Sequence, residues 1–256
     1  VGAASLLLSE WTREDARRLA AGTLVVFPVA STEQHGPHLP VSTDATSVEH
    51  VARAAAAEAA TTVPVVVAPT LPFGSSHHHL PFGGTMSLGT ETFYRVVCEL
   101  VESLIIGGFR RIYILNGHGG NQELIQLVAR DLALRHPVAI AAASYWAVAW
   151  DALVAAGAHL AGRLPGHAGA YETAQMLAMR PDLVRRPLPH RDEGDEPFHT
   201  DPRGFRTSRV ERHGSWQEID GYTDSPDRAT AERGQAYLAA VVRAVAAALV
   251  EFYGRC

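Results

Sequence analysis

The sequence predicts an α/β fold, in which short strands alternate with helices around a mainly parallel sheet. Three observations lead to that class. Apolar runs of strand length recur at 23–29, 63–68, 111–115 and 138–144, with helical patterns between them. The run at 63–68 is near-continuously β-branched instead of alternating, as a strand covered on both faces is. The first and third runs pass directly into loops rich in Gly, which is how ligand loops leave the carboxyl edge of an open sheet.

Each element has a local reason. Thr12 caps a short helix to about residue 21, with Asp15 placed three residues on for a capping box. The helix predicted over 44–60 carries Val48, Val51 and Ala52 on its inward stripe and is dense in Ala, the best helix former. Thr90 caps the next helix, which ends at Gly107-Gly108. Further helices are expected over 122–134, 171–179 and 229–253, and a helical stretch over 146–156. Residues 183–228 are polar and rich in Gly, Pro and His, and read as a hairpin or an oligomer contact. The segment around Trp216 is read as reaching a neighbouring subunit's pocket. No repeat or linker divides residues 1–256, which read as a single domain.

Composition narrows the function. A net charge of -5 gives no electrostatic case for nucleic acid or a membrane surface. No run reaches the roughly 18 consecutive apolar residues of a spanning helix. Only Cys98 and Cys256 are present, so a disulfide framework is not expected and a cytoplasmic setting is the natural reading. No secretory leader pattern opens the sequence.

The chemistry sits in the loops. Ser31-Thr32-Glu33-Gln34-His35-Gly36-Pro37-His38-Leu39-Pro40 follows the first strand, and Asp44 comes four residues later. Asn116-Gly117-His118-Gly119-Gly120-Asn121 follows the third strand. Glu33, His35, Asp44 and His118 therefore project from one sheet edge, with Glu33 and His35 sharing a face of an extended segment. Imidazole with carboxylate and no thiolate suits Zn or Mn, with Fe admitted by the same shell. The alternatives are that Asp44 caps its helix and that the His118 loop is an anion-binding turn. Glu123 reads as a helix N-terminal charge.

The loop 69–89 is long and contains His77-His78-His79. Adjacent side chains on an extended segment point apart and cannot all face one ion. A substrate-facing lid that includes His78, or a plain exposed loop, is the reading. Trp146 and Trp150, four apart, either wall a flat substrate or form a core stripe.

The two loops, with His167-Ala168-Gly169 leading to Glu172-Thr173 and with Gly84-Thr85-Met86-Ser87, resemble the creatininase (creatinine amidohydrolase) family. The resemblance implies a three-layer α/β fold, two divalent metals (Zn or Mn) and hydrolysis of a non-peptide C–N bond, commonly in a cyclic amide or a formamide. It implies Glu33, Asp44 and His118 on one metal, and His35, a bridging Asp44 and Glu172 on the other. It implies His167 as the proton carrier to the leaving nitrogen, after attack by a hydroxide bridging the metals. The partners implied are a small-molecule amide and further copies of the chain, often in a hexamer. Gly120 stands where creatininase itself carries a ligand Glu, which counts against creatinine as substrate and makes Glu172 the replacement. Family members that mature a modified peptide give a second reading; a metabolite-binding protein without catalysis is the third.

Overall fold

The structure, a computed structural model, describes residues 5–192 and 212–256. Its strands are β1 (Leu24–Val29), β2 (Val65–Val67), β3 (Arg111–Asn116) and β4 (Ala139–Ser144). They form one sheet in the order β2-β1-β3-β4, with every pairing parallel. The longer helices are α1 (Arg13–Leu19), α2 (Thr43–Ala59), α3 (Thr90–Ile106) and α4 (Gln122–Arg135). After β4 come three short helices, α5 (Tyr145–Val148), α6 (Trp150–Ala155) and α7 (Ala158–Ala161). The chain then forms α8 (Ala170–Met179), α9 (Ser215–Glu218) and α10 (Ala231–Arg255).

The period-2 alternation of side chains divides the core into two layers. Leu24, Val26, Tyr113 and Leu115 face one way, where α2, α8 and α10 cover them. Val25, Phe27, Ile112 and Ile114 face the other, against α3 and α4. Helices on both faces of a parallel sheet make the three layers expected, and explain why β1 is buried at every position.

This order gives the sheet its switch point. The chain leaves β1 for α2 on one face, and leaves β3 for α4 on the other. The exit loops of these neighbouring strands diverge and leave a crevice beyond their carboxyl ends, which is where ligands bind in such sheets.

Several expectations need correction. Gly89, not Thr90, is the N-cap of α3, and no side chain caps it. The stretch 146–156 is not one helix, because α5 and α6 break at Ala149. No strand forms among the described residues between 183 and 228; residues 193–211 lie outside the described residues, and with them part of the expected hairpin or contact. By length and composition α10 is apolar enough to cross a bilayer. Its stripe Tyr237, Leu238, Val241, Val245 and Leu249 is buried in the core instead, and that packing accounts for its composition. The capping box of Thr12 and Asp15 is present as read.

Candidate metal centre

Glu33 and His35 lie on the irregular segment after β1 and are fully buried. Asp44 sits in the first turn of α2, whose N-cap is Ser42. Its carboxylate is therefore not the cap of that helix. Instead Oδ1 lies 3.1 Å from His35 Nε2 and Oδ2 lies 3.2 Å from His118 Nδ1. His118 Nδ1 also approaches Glu33 Oε1 at 3.1 Å, and His35 Nε2 approaches Glu172 Oε2 at 3.7 Å. Asp44 thus stands between two groups, Glu33 with His118 and His35 with Glu172.

The loop that carries His118 is locked by its own asparagines. Asn116 Nδ2 donates to His118 O at 2.6 Å, and His118 N–H donates to Asn116 Oδ1 at 3.1 Å. Asn121 Nδ2 ties the same loop to Ala30 O at the end of β1. Gly117 is required by packing, since a Cβ there would lie 2.7 Å from Val48 Cβ.

The imidazoles are oriented from behind. His35 Nδ1 lies 3.1 Å from Glu33 O, and His118 Nε2 lies 3.1 Å from Ser75 O. A carbonyl oxygen accepts only, so each of these nitrogens carries a proton and the other nitrogen of each ring faces inward. Metal-ligating histidines are held in the same way.

The inward atoms are short of partners. Glu33 Oε1 and Oε2, His35 Nε2 and Asp44 Oδ2 are buried without a hydrogen bond. Leaving such groups unpaired costs several kcal/mol in total, of the order of 1–3 kcal/mol or more for each. Donor atoms of Glu33, His35 and Asp44 lie within 4.8 Å of one another, as do those of His35, His167 and Glu172. Nitrogen and carboxylate atoms that converge without hydrogen-bond geometry fit divalent cations such as Zn or Mn.

The same convergence polarises the groups. Burial pushes the Glu33 carboxyl up, but the His118 imidazole beside it outweighs that and holds it well below the carboxylate range. Burial pushes His35 down, yet Asp44, Glu172 and Glu33 raise it to about 10. His118 is likewise raised against burial, by Glu33 and Asp44. Burial is the main cause that lifts Glu172 to about 8. His167 falls to about 3 through burial and the neighbouring His35 charge.

His167 and Glu172 belong to a second body of chain. His167 Nε2 lies 2.9 Å from Gln34 O and 3.1 Å from Gln34 Nε2, whose two hydrogens are taken by Gly221 O and His79 Nδ1. Nε2 therefore donates to the carbonyl, which turns Nδ1 toward Glu33 Oε1, 3.6 Å away. Glu172 lies in the first turn of α8, and its Oε2 accepts from Ala168 N–H at 2.6 Å. The loop ahead of α8 is clamped by residues before α10. Thr223 exchanges backbone and hydroxyl bonds with His167, and the buried Asp224 accepts from Arg163 N–H and Ala170 N–H at 2.6 Å each.

Other residues lie elsewhere than the sequence suggests. His77–Phe82 is a 3₁₀ turn, not an extended segment, and it brings the His78 and His79 rings to 4.2 Å from each other. His77 is exposed, His78 stacks on His118 at 5.9 Å, and His79 is buried. Trp146 is 6% exposed and sits edge-on to Tyr145, and Trp150 packs on the same helical core. Both fit the core-stripe reading of the pair. Trp216 is not directed away to another subunit; its ring lies 4.7 Å from His79 and 5.3 Å from His167 of its own chain. His79, Gln34 and Asp224 were missed. The signal for His79 and Gln34 was adjacency to residues already singled out.

Gly120 also has a structural reason. A Cβ there would lie 2.3 Å from Ser75 O and 2.5 Å from His118 Nε2. No side chain fits at this position on the present backbone.

Comparison with known proteins agrees with the motifs. The family model Creatininase (creatinine amidohydrolase) matches residues 9–249. Mycofactocin precursor peptide peptidase of Mycobacterium ulcerans is 33% identical over 165 residues, 62% of this chain and 60% of that protein. The match thus spans less than two thirds of that relative. Creatinine amidohydrolase of Pseudomonas putida is 30% identical over 191 residues, 68% of this chain and 71% of that protein. A crystal structure of creatinine amidohydrolase superimposes with a TM-score of 0.74 at 26% identity, covering 97% of this chain and 98% of that one. A manganese creatininase gives the same TM-score at 27% identity, with coverages of 97% and 98%.

Proposed function

This chain belongs to the creatininase family, and from that premise we propose a dinuclear metal-dependent amidohydrolase that cleaves a non-peptide C–N bond. The substrate class is a cyclic amide, such as a lactam, or a formamide. The observation that carries the reading is the pair His35 and His118. Each holds its outer N–H on a backbone carbonyl and aims its other nitrogen at a different oxygen of Asp44.

Glu33, Asp44 and His118 would hold one cation, and His35, Asp44 and Glu172 the other. Bound there, two divalent cations supply Lewis acidity toward a carbonyl oxygen and acidify a water between them. The protein's own residues supply orientation and proton transfer. His167 presents an unprotonated Nδ1 to the cluster and is kept neutral by burial, so it can accept a proton and return it to the leaving nitrogen. Glu172 is held in place by the Ala168 N–H, which follows His167 in the loop ahead of α8.

A second reading assigns a modified peptide as substrate. It is favoured by the relatives named mycofactocin precursor peptide peptidase. Family resemblance also carries a homo-oligomer, which light scattering would measure.

The test is reconstitution with Zn or Mn, followed by a screen of lactams, cyclic ureas, hydantoins, creatinine, formamides and short peptides. Turnover of a small amide that is lost in His167→Ala supports the leading reading. Turnover of peptides alone moves the assignment to the second. Less than one bound cation per chain with no turnover removes both.

A further inference from the structure

We propose that His79 is a further catalytic residue, a neutral imidazole whose Nε2–H donates to the substrate's carbonyl oxygen as charge gathers there; this rests on the amide-hydrolysis reading. The argument starts with Gln34. Gly36 N–H donates to Gln34 Oε1 at 2.8 Å, and Gln34 Nε2 donates to Gly221 O at 2.7 Å. A backbone donor and a backbone acceptor together fix which end of the amide is which. Gln34 Nε2 is therefore a donor where it meets His79 Nδ1, at 2.8 Å. An amide nitrogen has no lone pair to accept with, so His79 Nδ1 is unprotonated and its proton sits on Nε2.

That sets His79 apart from its neighbours. His35, His118 and His167 each spend one ring N–H on a backbone carbonyl and turn the other ring nitrogen inward, free of any backbone donor. His79 does the reverse. Its Nε2–H faces the cluster, 3.8 Å from Glu33 Oε1, which is too far for a hydrogen bond. Ligation by Nε2 would need the proton moved to Nδ1, directly against the Gln34 donor.

The ring is placed firmly. It is 1% exposed and stacks on His167 at 4.2 Å with 16° between planes. His79 N–H donates to Ser76 O, and Thr85 Oγ1 joins His79 O to Gln34 N–H. A ring nitrogen of each histidine and a Glu33 oxygen lie within 4.8 Å of one another. An amide's oxygen and nitrogen are about 2.2 Å apart from its bond lengths. One amide can therefore meet the His79 donor at its oxygen and the His167 base at its nitrogen. A preorganised neutral donor of this kind strengthens as the oxygen gains charge, and moves no proton.

Two experiments decide it. In the zinc-loaded protein, ¹⁵N-histidine NMR should show His79 with Nδ1 bare and Nε2 protonated. A bare Nε2, a zinc-shifted Nε2 or a doubly protonated ring overturns the proposal. On the substrate found by screening, His79→Phe should lower kcat by roughly 10²–10³-fold, with KM within about threefold and both cations retained. His79→Gln, which keeps an N–H donor, should regain about tenfold of that loss. A His79→Phe enzyme with kcat within twofold of wild type, or one that has lost a cation, also overturns it. Absence of turnover in wild type defeats the hydrolysis reading instead, while the NMR result still decides whether His79 presents a donor.

Discussion

The two halves of the candidate centre are built differently. Glu33, His35, Asp44 and His118 stand on the exits of β1 and β3 and on the first turn of α2. There the sheet register pairs Val29 with Asn116, and Gly117 N–H continues the ladder to Val29 O. His167 and Glu172 stand on a loop and the first turn of α8. That loop is held by Thr223 and Asp224, more than fifty residues later in the chain. The first half inherits its geometry from the sheet, while the second depends on Thr223 and the buried Asp224. Loss of a local contact should therefore disturb the second half much more than the first.

Asp224→Ala is the strongest way to break the comparison. It removes two short bonds from a buried carboxylate and leaves the Arg163 and Ala170 amides without it. Stability should fall by about 3 kcal/mol or more, measured by urea denaturation. Bound metal should fall from two per chain toward one, because Glu33, Asp44 and His118 keep their positions. Equal loss of both cations would erase the distinction between the halves.

Gly120→Ala probes the first half. The added methyl must push against a backbone oxygen and the His118 ring, at an expected cost of about 1–3 kcal/mol. The displaced His118 should weaken metal binding, read by calorimetric titration. A variant as stable and as tight as wild type would show that the loop yields more easily than its asparagine bonds imply.

His38 gives the most graded effect, one that vanishes above its ordinary value. Burial and the nearby His35 charge lower it to about 4, and its Nε2 bonds Thr173 Oγ1. Between pH 4 and its ordinary value near 6.5, the unfolded chain binds a proton that the folded chain does not. Stability is therefore full above 6.5 and is lost as pH falls, by about 1.4 kcal/mol per unit within that window. His38→Gln should flatten the slope of unfolding free energy against pH there by about one proton. An unchanged slope would mean that His38 does not titrate in this range.

The first half was readable in the sequence for the reason it is robust. Glu33, His35 and Asp44 are close in the chain, and a parallel sheet places His118 at the same edge without knowledge of packing. The β-branched run of β2 and the Ala-rich face of α2 likewise declare their burial locally. The second half came from family resemblance, because no local pattern ties His167 to Thr223 and Asp224. His79 was hidden by reading its segment as extended, where a 3₁₀ turn buries one ring of three. Its distinction rests on the orientation of the Gln34 amide, which no periodicity encodes. Trp146 and Trp150 show where spacing is ambiguous, since the spacing of a core stripe also fits a substrate wall.

The central claim is that Asp44 joins two cation sites. Its two oxygens approach His35 and His118 separately, so one substitution should empty both. The direct measurement is metal content by inductively coupled plasma mass spectrometry on zinc-reconstituted wild type and Asp44→Ala, with circular dichroism to confirm folding. The account predicts two zinc ions per wild-type chain and fewer than about 0.3 in the folded variant. A folded Asp44→Ala that keeps two ions and its activity would contradict it.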